Sequence, residues 1–271
     1  IVKRFICEAK MDIEKYTNSK VYHFFEILFK LIVWNILTII LVCLAVAGPF
    51  LGFYYLKEGT LAGLLMIFGA LLGVFIFIPC YCTIFSCIKL YKEEKESTTI
   101  FIYFNQLWDN FKSLYKTELI LFPVVILFSF SLYFYYGVIG NEEMEINLIN
   151  SIYQIGYTVL LFAIVAIFLC FLNLPMTVGY FRMKTKTIMK FTLIMTFKHI
   201  LRTFLFAVLL IAPLLIVILV NSLIPVWMLI GFSLPLYAMY FLTRKDYWRL
   251  VNNMDAIEDE EIYLKKGEKN D

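Results

Sequence analysis

The sequence predicts an all-α membrane protein: six transmembrane helices, two amphipathic helices on the cytoplasmic surface, and a parallel internal repeat. Three observations carry that prediction. Of 271 residues, 62% are hydrophobic and 17% charged, with a mean hydropathy of +0.81, whereas soluble domains run at about half apolar and about a quarter charged. Five long stretches carry no Asp, Glu, Lys or Arg. The basic residues fall on alternate connections between them. With 27 Phe and 18 Tyr and little charge to solvate them, the composition excludes a disordered chain, a secreted disulfide scaffold and a nucleic-acid-binding domain.

The charge-free stretches are 31–56, 59–88, 119–141, 146–181 and 203–243. Each exceeds the roughly 20 residues that cross about 30 Å of hydrocarbon at about 1.5 Å per residue. The last is 41 residues long, twice what one span needs, and Asn221, Ser222 and Pro225 suit a tight turn inside it. Six spans follow, at 27–52, 61–88, 119–139, 150–174, 203–221 and 225–243. They form a membrane domain over 21–250, preceded by a cytoplasmic segment, 1–20, and followed by a charged cytoplasmic tail, 251–271.

Charge placement tests that count. Residues 1–30 carry six Lys and Arg, 89–116 five, 182–202 six and the tail from Arg244 six, while Lys57 stands alone on the opposite connections. The split is 23 to one. By the positive-inside rule both termini and the two long basic loops are cytoplasmic, in the cell membrane, and the connection holding Glu142, Glu143 and Glu145 is external. A five-span chain would put the basic tail outside.

The chain begins with Ile, and Met11 is an alternative start, so residues 1–10 are expected to carry nothing structural. A cleaved signal peptide competes for the first span, on Ala45-Val46-Ala47. Its basic region would be 30 residues long and Pro49 would follow the cut, both of which argue for a retained span. The six cysteines sit mostly inside apolar runs and read as reduced.

From 97 to 115 apolar residues recur at gaps of three and four: Ile100, Phe101, Phe104, Leu107, Trp108, Phe111, Leu114 and Tyr115. This is one helical face. Asn105, Asp109, Asn110, Lys112 and Lys116 lie opposite, Ser97 is a natural N-cap, and the segment is expected to lie along the inner membrane surface with Phe and Trp inward. A second such segment, 188–204, carries Ile188, Phe191, Met195, Phe197, Ile200, Leu201 and Phe204 beside Lys190, Lys198 and Arg202. The competing reading of both is a solvated helix that continues the next span.

The two segments match: Phe111-Lys112-Ser113-Leu114-Tyr115-Lys116-Thr117 aligns with Phe197-Lys198-His199-Ile200-Leu201-Arg202-Thr203. Pro123 and Pro213 follow them, and Pro79 and Pro175 precede them. A span with a late proline, an amphipathic helix and a span with an early proline thus recur in one orientation, as a parallel repeat does. Chance likeness between two Phe-rich segments is the alternative.

Catalysis or ion movement at depth needs ionisable groups there, and the interior of the six predicted spans contains no Asp, Glu, Lys, Arg or His. His23 and His199 mark cytoplasmic ends. Glu26 and Lys30 form an i,i+4 pair. Glu118 stands at the entrance of the third span, to pair with Lys116 or the basic loop, or to line a cavity. Cys80 and Cys82 differ by about 200° around a helix, which argues against a metal site with Cys87 and Cys170. The buried amides Asn35, Gln154 and Asn173 are the candidate intramembrane contacts, either as interhelical hydrogen bonds or as substrate contacts. No phosphate-binding lysine loop, dinucleotide fingerprint, nucleophile elbow or H-E-x-x-H motif is present. No enzyme activity, cofactor or metal is expected.

Trp34-Asn35-Ile36-Leu37, Pro79-Cys80-Tyr81-Cys82-Thr83-Ile84-Phe85, the phenylalanines from Phe101 to Phe111, and Lys198-His199-Ile200-Leu201-Arg202-Thr203 together resemble the YesL-type bacterial membrane proteins. The resemblance runs over about 20–250, with cysteines where that family has small alanines after its proline and with longer first spans. It implies six spans and an association with carbohydrate ABC transport, and it supplies no catalytic residues.

Two functions are therefore expected. The first is a non-enzymatic accessory or regulatory protein whose partners are membrane lipids, ABC transporter subunits or other membrane proteins. Its docking or interfacial face would be Phe104, Trp108, Phe111 and Lys112 with Phe197, Lys198 and Arg202. The second is a small permease, its prolines acting as hinges.

Overall fold

The computed structural model describes residues 20–56, 60–93, 100–139, 148–181 and 183–267. Among them are eight α-helices and one short 3₁₀ turn, with no strand. In chain order, α1 is Lys20–Leu56, α2 Thr60–Glu93, α3 Ile100–Ile139, α4 Leu148–Tyr180, α5 Thr185–Lys198 and α6 Ile200–Leu219. The 3₁₀ turn Asn221–Leu223 then leads into α7, Ile224–Ile230, and α8, Ser233–Gly267. Helix is the expected result, because a backbone surrounded by hydrocarbon must satisfy every N–H and C=O internally. Five helices are long and apolar enough to cross a membrane, and the bent pair at the end makes a sixth such unit. The chain is an integral membrane protein of multi-pass architecture.

The helices are longer than a bilayer requires. α1 has 37 residues, α2 34, α3 40 and α4 33, so they reach about 50–60 Å against about 30 Å of hydrocarbon. The excess lies at the basic end, where Lys89 and Lys92 close α2 and Lys112 and Lys116 lie roughly three to four turns into α3. The core is there too. Tyr81, Phe85, Tyr103, Phe206, Tyr240 and Tyr247 are fully buried in one cluster, and a smaller cluster gathers Cys82, Leu114, Leu174, Val178 and Ile188. Toward the other end α1 and α2 pack as a close hairpin. A side chain on Gly73 would put its Cβ 2.8 Å from Val46, so only glycine permits that approach.

The structure corrects three expectations. The first amphipathic segment is not a separate surface helix, because α3 runs unbroken from Ile100 through Pro123 to Ile139; the segment continues the next span, with no glycine or proline to turn it. The side of it packed on the other helices carries Tyr103, Asn110, Leu114 and Thr117, whereas Phe101, 81% exposed, and Trp108, 59% exposed, face away from the bundle. The second segment is split at His199 into α5 and α6. The two halves thus share an order of elements, but a continuous helix in one faces a kink in the other.

The third correction concerns the last span, expected as one helix over 225–243. It breaks between α7 and α8, which are bent by 52°. Pro235 explains the position, because its ring would clash with the carbonyl of Gly231 and it supplies no N–H to bond it. The Gly231 N–H keeps its helical bond to the carbonyl of Trp227, and the Trp227 indole lies so close that a Cβ on residue 231 would sit 2.6 Å from its ring nitrogen.

Candidate functional site

Asn35, completely buried on α1, lies at that break. Its side-chain N–H donates to the carbonyl of Met228 at 2.7 Å, and its side-chain oxygen accepts the backbone N–H groups of Phe232 at 3.1 Å and Ser233 at 3.2 Å. The carboxamide thereby replaces the helix bond lost between 228 and 232 and caps the start of α8. One turn along α1, the Thr38 hydroxyl shares a 2.7 Å hydrogen bond with Tyr103 of α3. An aromatic file, Trp227, Phe232, Phe77, Tyr81 and Phe171, continues from the break into the core with ring centroids 4.8–5.6 Å apart.

Asn173, on α4, gathers the second junction. Its amide donates to the hydroxyls of Thr203 at 2.9 Å and Thr196 at 3.2 Å, on α6 and α5, while Thr203 donates onward to the His199 carbonyl at the kink. The amide oxygen of Asn173 is buried and accepts no bond. Burial, and then the neighbouring Arg202 guanidinium, hold His199 below the usual imidazole range. Gln154 joins neither junction. It is exposed on α4, its backbone carbonyl accepting the Thr158 hydroxyl, because the adjacent Gly156 and Tyr153 take the face that packs on Tyr135.

The expected docking residues divide. Phe104 and Trp108 are exposed on α3, and Lys112 holds its ammonium 4.9 Å above the Trp108 ring. Phe111 stacks on Trp108 and meets Phe75 of α2 edge-on at 5.6 Å, which half-buries it. Phe197 and Lys198 are exposed on α5. Arg202 is not part of an open face: it donates to the carboxylate of Asp246 on α8, and its own side chain is 15% exposed.

Three polar positions were missed or placed differently by sequence reading. Asn110, assigned by periodicity to the solvated face, is buried and donates to Thr83 and Ser86 of α2 at 3.0 and 3.4 Å. Glu93 accepts the hydroxyls of Tyr180 and Tyr240, joining α2 to α4 and α8. Glu118 is 2% exposed and both its carboxyl oxygens are without a hydrogen-bond partner, so it pairs with neither Lys116 nor the basic loop. It lies one turn past Leu114, in the part of α3 that packs on α2. The signal available in the sequence was its spacing: 103, 107, 110, 114, 117 and 118 define one helical face.

Comparison with protein-family models, curated proteins and solved structures finds no match.

Proposed function

We propose that this chain is a non-catalytic accessory protein of the cell membrane, with both termini and its basic end in the cytoplasm, acting beside a carbohydrate ABC transporter as a YesL-type protein would. The observation that supports it is the division of labour among its polar and apolar residues. The amides of Asn35, Asn110 and Asn173 all donate to other helices, while Phe101, Phe104 and Trp108 form an exposed, lysine-flanked stripe on α3. A photo-crosslinker placed at Phe104 in native membranes is expected to capture a transporter subunit; capture of no such subunit overturns the reading. Orientation is tested separately. A membrane-impermeant maleimide should label Glu143→Cys in intact cells and Lys186→Cys only after lysis.

A second reading, a small permease, draws support from Glu118, since a carboxyl enclosed in a spanning helix is functional by default. A broken last span strengthens it, because discontinuous helices line many transport sites. Flux of sugars or ions into liposomes holding the purified protein, lost in Glu118→Gln, would favour it; absence of flux for every solute tested removes it.

A further inference from the structure

Where α3 approaches the start of α5, the basic end of the bundle opens into a cleft of about 650 Å³. Lys112 and Lys116 of α3 and Lys184 and Lys186 at the start of α5 line it, together with Ser113 and Thr185. Among the described residues of the cleft wall none is acidic. Lys112 and Lys116 are four apart and share a helical face, and Lys184 is the residue before the first turn of α5, its side chain making no cap bond. Four lysines around one concavity repel one another, and the cost falls when an anion occupies the space between them.

The surroundings select the anion. Leu119 and Ile120, the first residues of the apolar run and within one turn of Lys116, are 61% and 51% exposed. On the other side, exposed Trp108 lies under the Lys112 ammonium, and tryptophan and lysine together mark the headgroup level of a bilayer. A ligand with an anionic head and an apolar body therefore meets matching chemistry at both of its ends, whereas a free anion uses only the lysines. We propose that this cleft holds the phosphate headgroup of an anionic phospholipid, its acyl chains running along Leu119 and Ile120 of α3. Serine and threonine hydroxyls supply the neutral donors that a phosphodiester accepts beside its charge pairs.

The test titrates the purified full chain in a neutral detergent with phosphatidylglycerol carrying a fluorescent acyl chain, and with phosphatidylcholine bearing the same label. Phosphatidylglycerol is expected to bind at least tenfold more tightly. Each Lys→Gln change in the cleft should weaken it about fivefold, and Lys112→Gln, Lys116→Gln, Lys184→Gln and Lys186→Gln together should erase the preference. If that fourfold variant does not fold, Lys184→Gln with Lys186→Gln, both exposed, carries the test with an expected loss of about 25-fold. Lys245→Gln with Arg249→Gln, basic but outside the cleft, should leave binding unchanged. Equal losses in this control, or unaltered binding in the cleft variants, would reduce the effect to overall charge and overturn the site. Displacement of the labelled lipid by millimolar inorganic phosphate would make the cleft a site for soluble phosphate and overturn the lipid assignment.

Discussion

Asn35 donates its side-chain N–H to the carbonyl of Met228, 2.7 Å away and 193 positions along the chain. In an unbroken helix that carbonyl would accept the N–H of Phe232, which here bonds the side-chain oxygen of the same asparagine. One side chain on α1 therefore completes a backbone ladder interrupted on α7 and α8. Asn35→Leu leaves a carbonyl and two N–H groups without partners and is expected to cost about 2–3 kcal/mol, even though polar contacts in membranes are worth less than their count implies. Thermal unfolding in detergent, followed by tryptophan fluorescence, reads it. A wild-type midpoint would mean that Gly231 and Pro235 hold the break alone.

Gly231 sets the shape of that break. A Cβ there would lie 2.5 Å from the Trp227 carbonyl and 2.6 Å from its indole nitrogen, so Gly231→Ala must move both, at about 1–3 kcal/mol for overpacking. Trp227→Ala in the same chain removes only the indole clash. The double variant should regain part of the lost stability, and full recovery would show that the backbone contact imposes no strain.

How far this was legible from the chain depends on what each residue's neighbours signal. Charge-free runs marked the spans because charges are excluded from hydrocarbon over a length the bilayer fixes. Asn35 and Asn173 stood out for the same reason, as amides inside apolar runs. Asn110 did not, since an asparagine beside Asp109 and Lys112 reads as solvated until its hydroxyl partners on α2 are known. Glu118 read as a boundary because the apolar run starts immediately after it. Pro235 was legible in principle: Gly231 four residues before it is where a helix must yield, but Pro225 nearby gave a simpler turn.

The Asn173 junction predicts coupling across three helices. Asn173→Leu and Thr203→Val each remove one end of the 2.9 Å bond, while Thr196→Val removes the longer one. A double-mutant cycle of unfolding free energies should give about 0.5–1.5 kcal/mol for the Asn173–Thr203 pair and less for Asn173–Thr196. Strict additivity at Thr203 would assign α6 to Asn173 by proximity only.

Arg202 and Asp246 are an unequal pair. Arg202 is 15% exposed and its Nε and second terminal nitrogen have no partner, whereas Asp246 is 40% exposed. Asp246→Asn strands an enclosed cation; Arg202→Met strands a carboxylate that water reaches. The first change is therefore expected to destabilise by about 2–3 kcal/mol and the second by about 1 kcal/mol. The reverse order in denaturant unfolding would show that Arg202 reaches water in the membrane-bound protein.

Glu118 separates stability from function. Both of its oxygens are enclosed without a donor, and enclosing a polar group without a partner costs free energy that an apolar side chain of similar size does not. Glu118→Leu should thus raise the unfolding free energy by about 1–3 kcal/mol, and the midpoint with it, and Glu118→Gln should change it less, since the amide fills the same space and stays unbonded. A residue whose removal stabilises the fold is kept for another task. In a permease that task would be transport, and flux would fall in Glu118→Leu while transporter capture stayed unchanged. A lower midpoint in Glu118→Leu would reveal a donor that reaches the carboxyl, and would make Glu118 one more tie between α2 and α3.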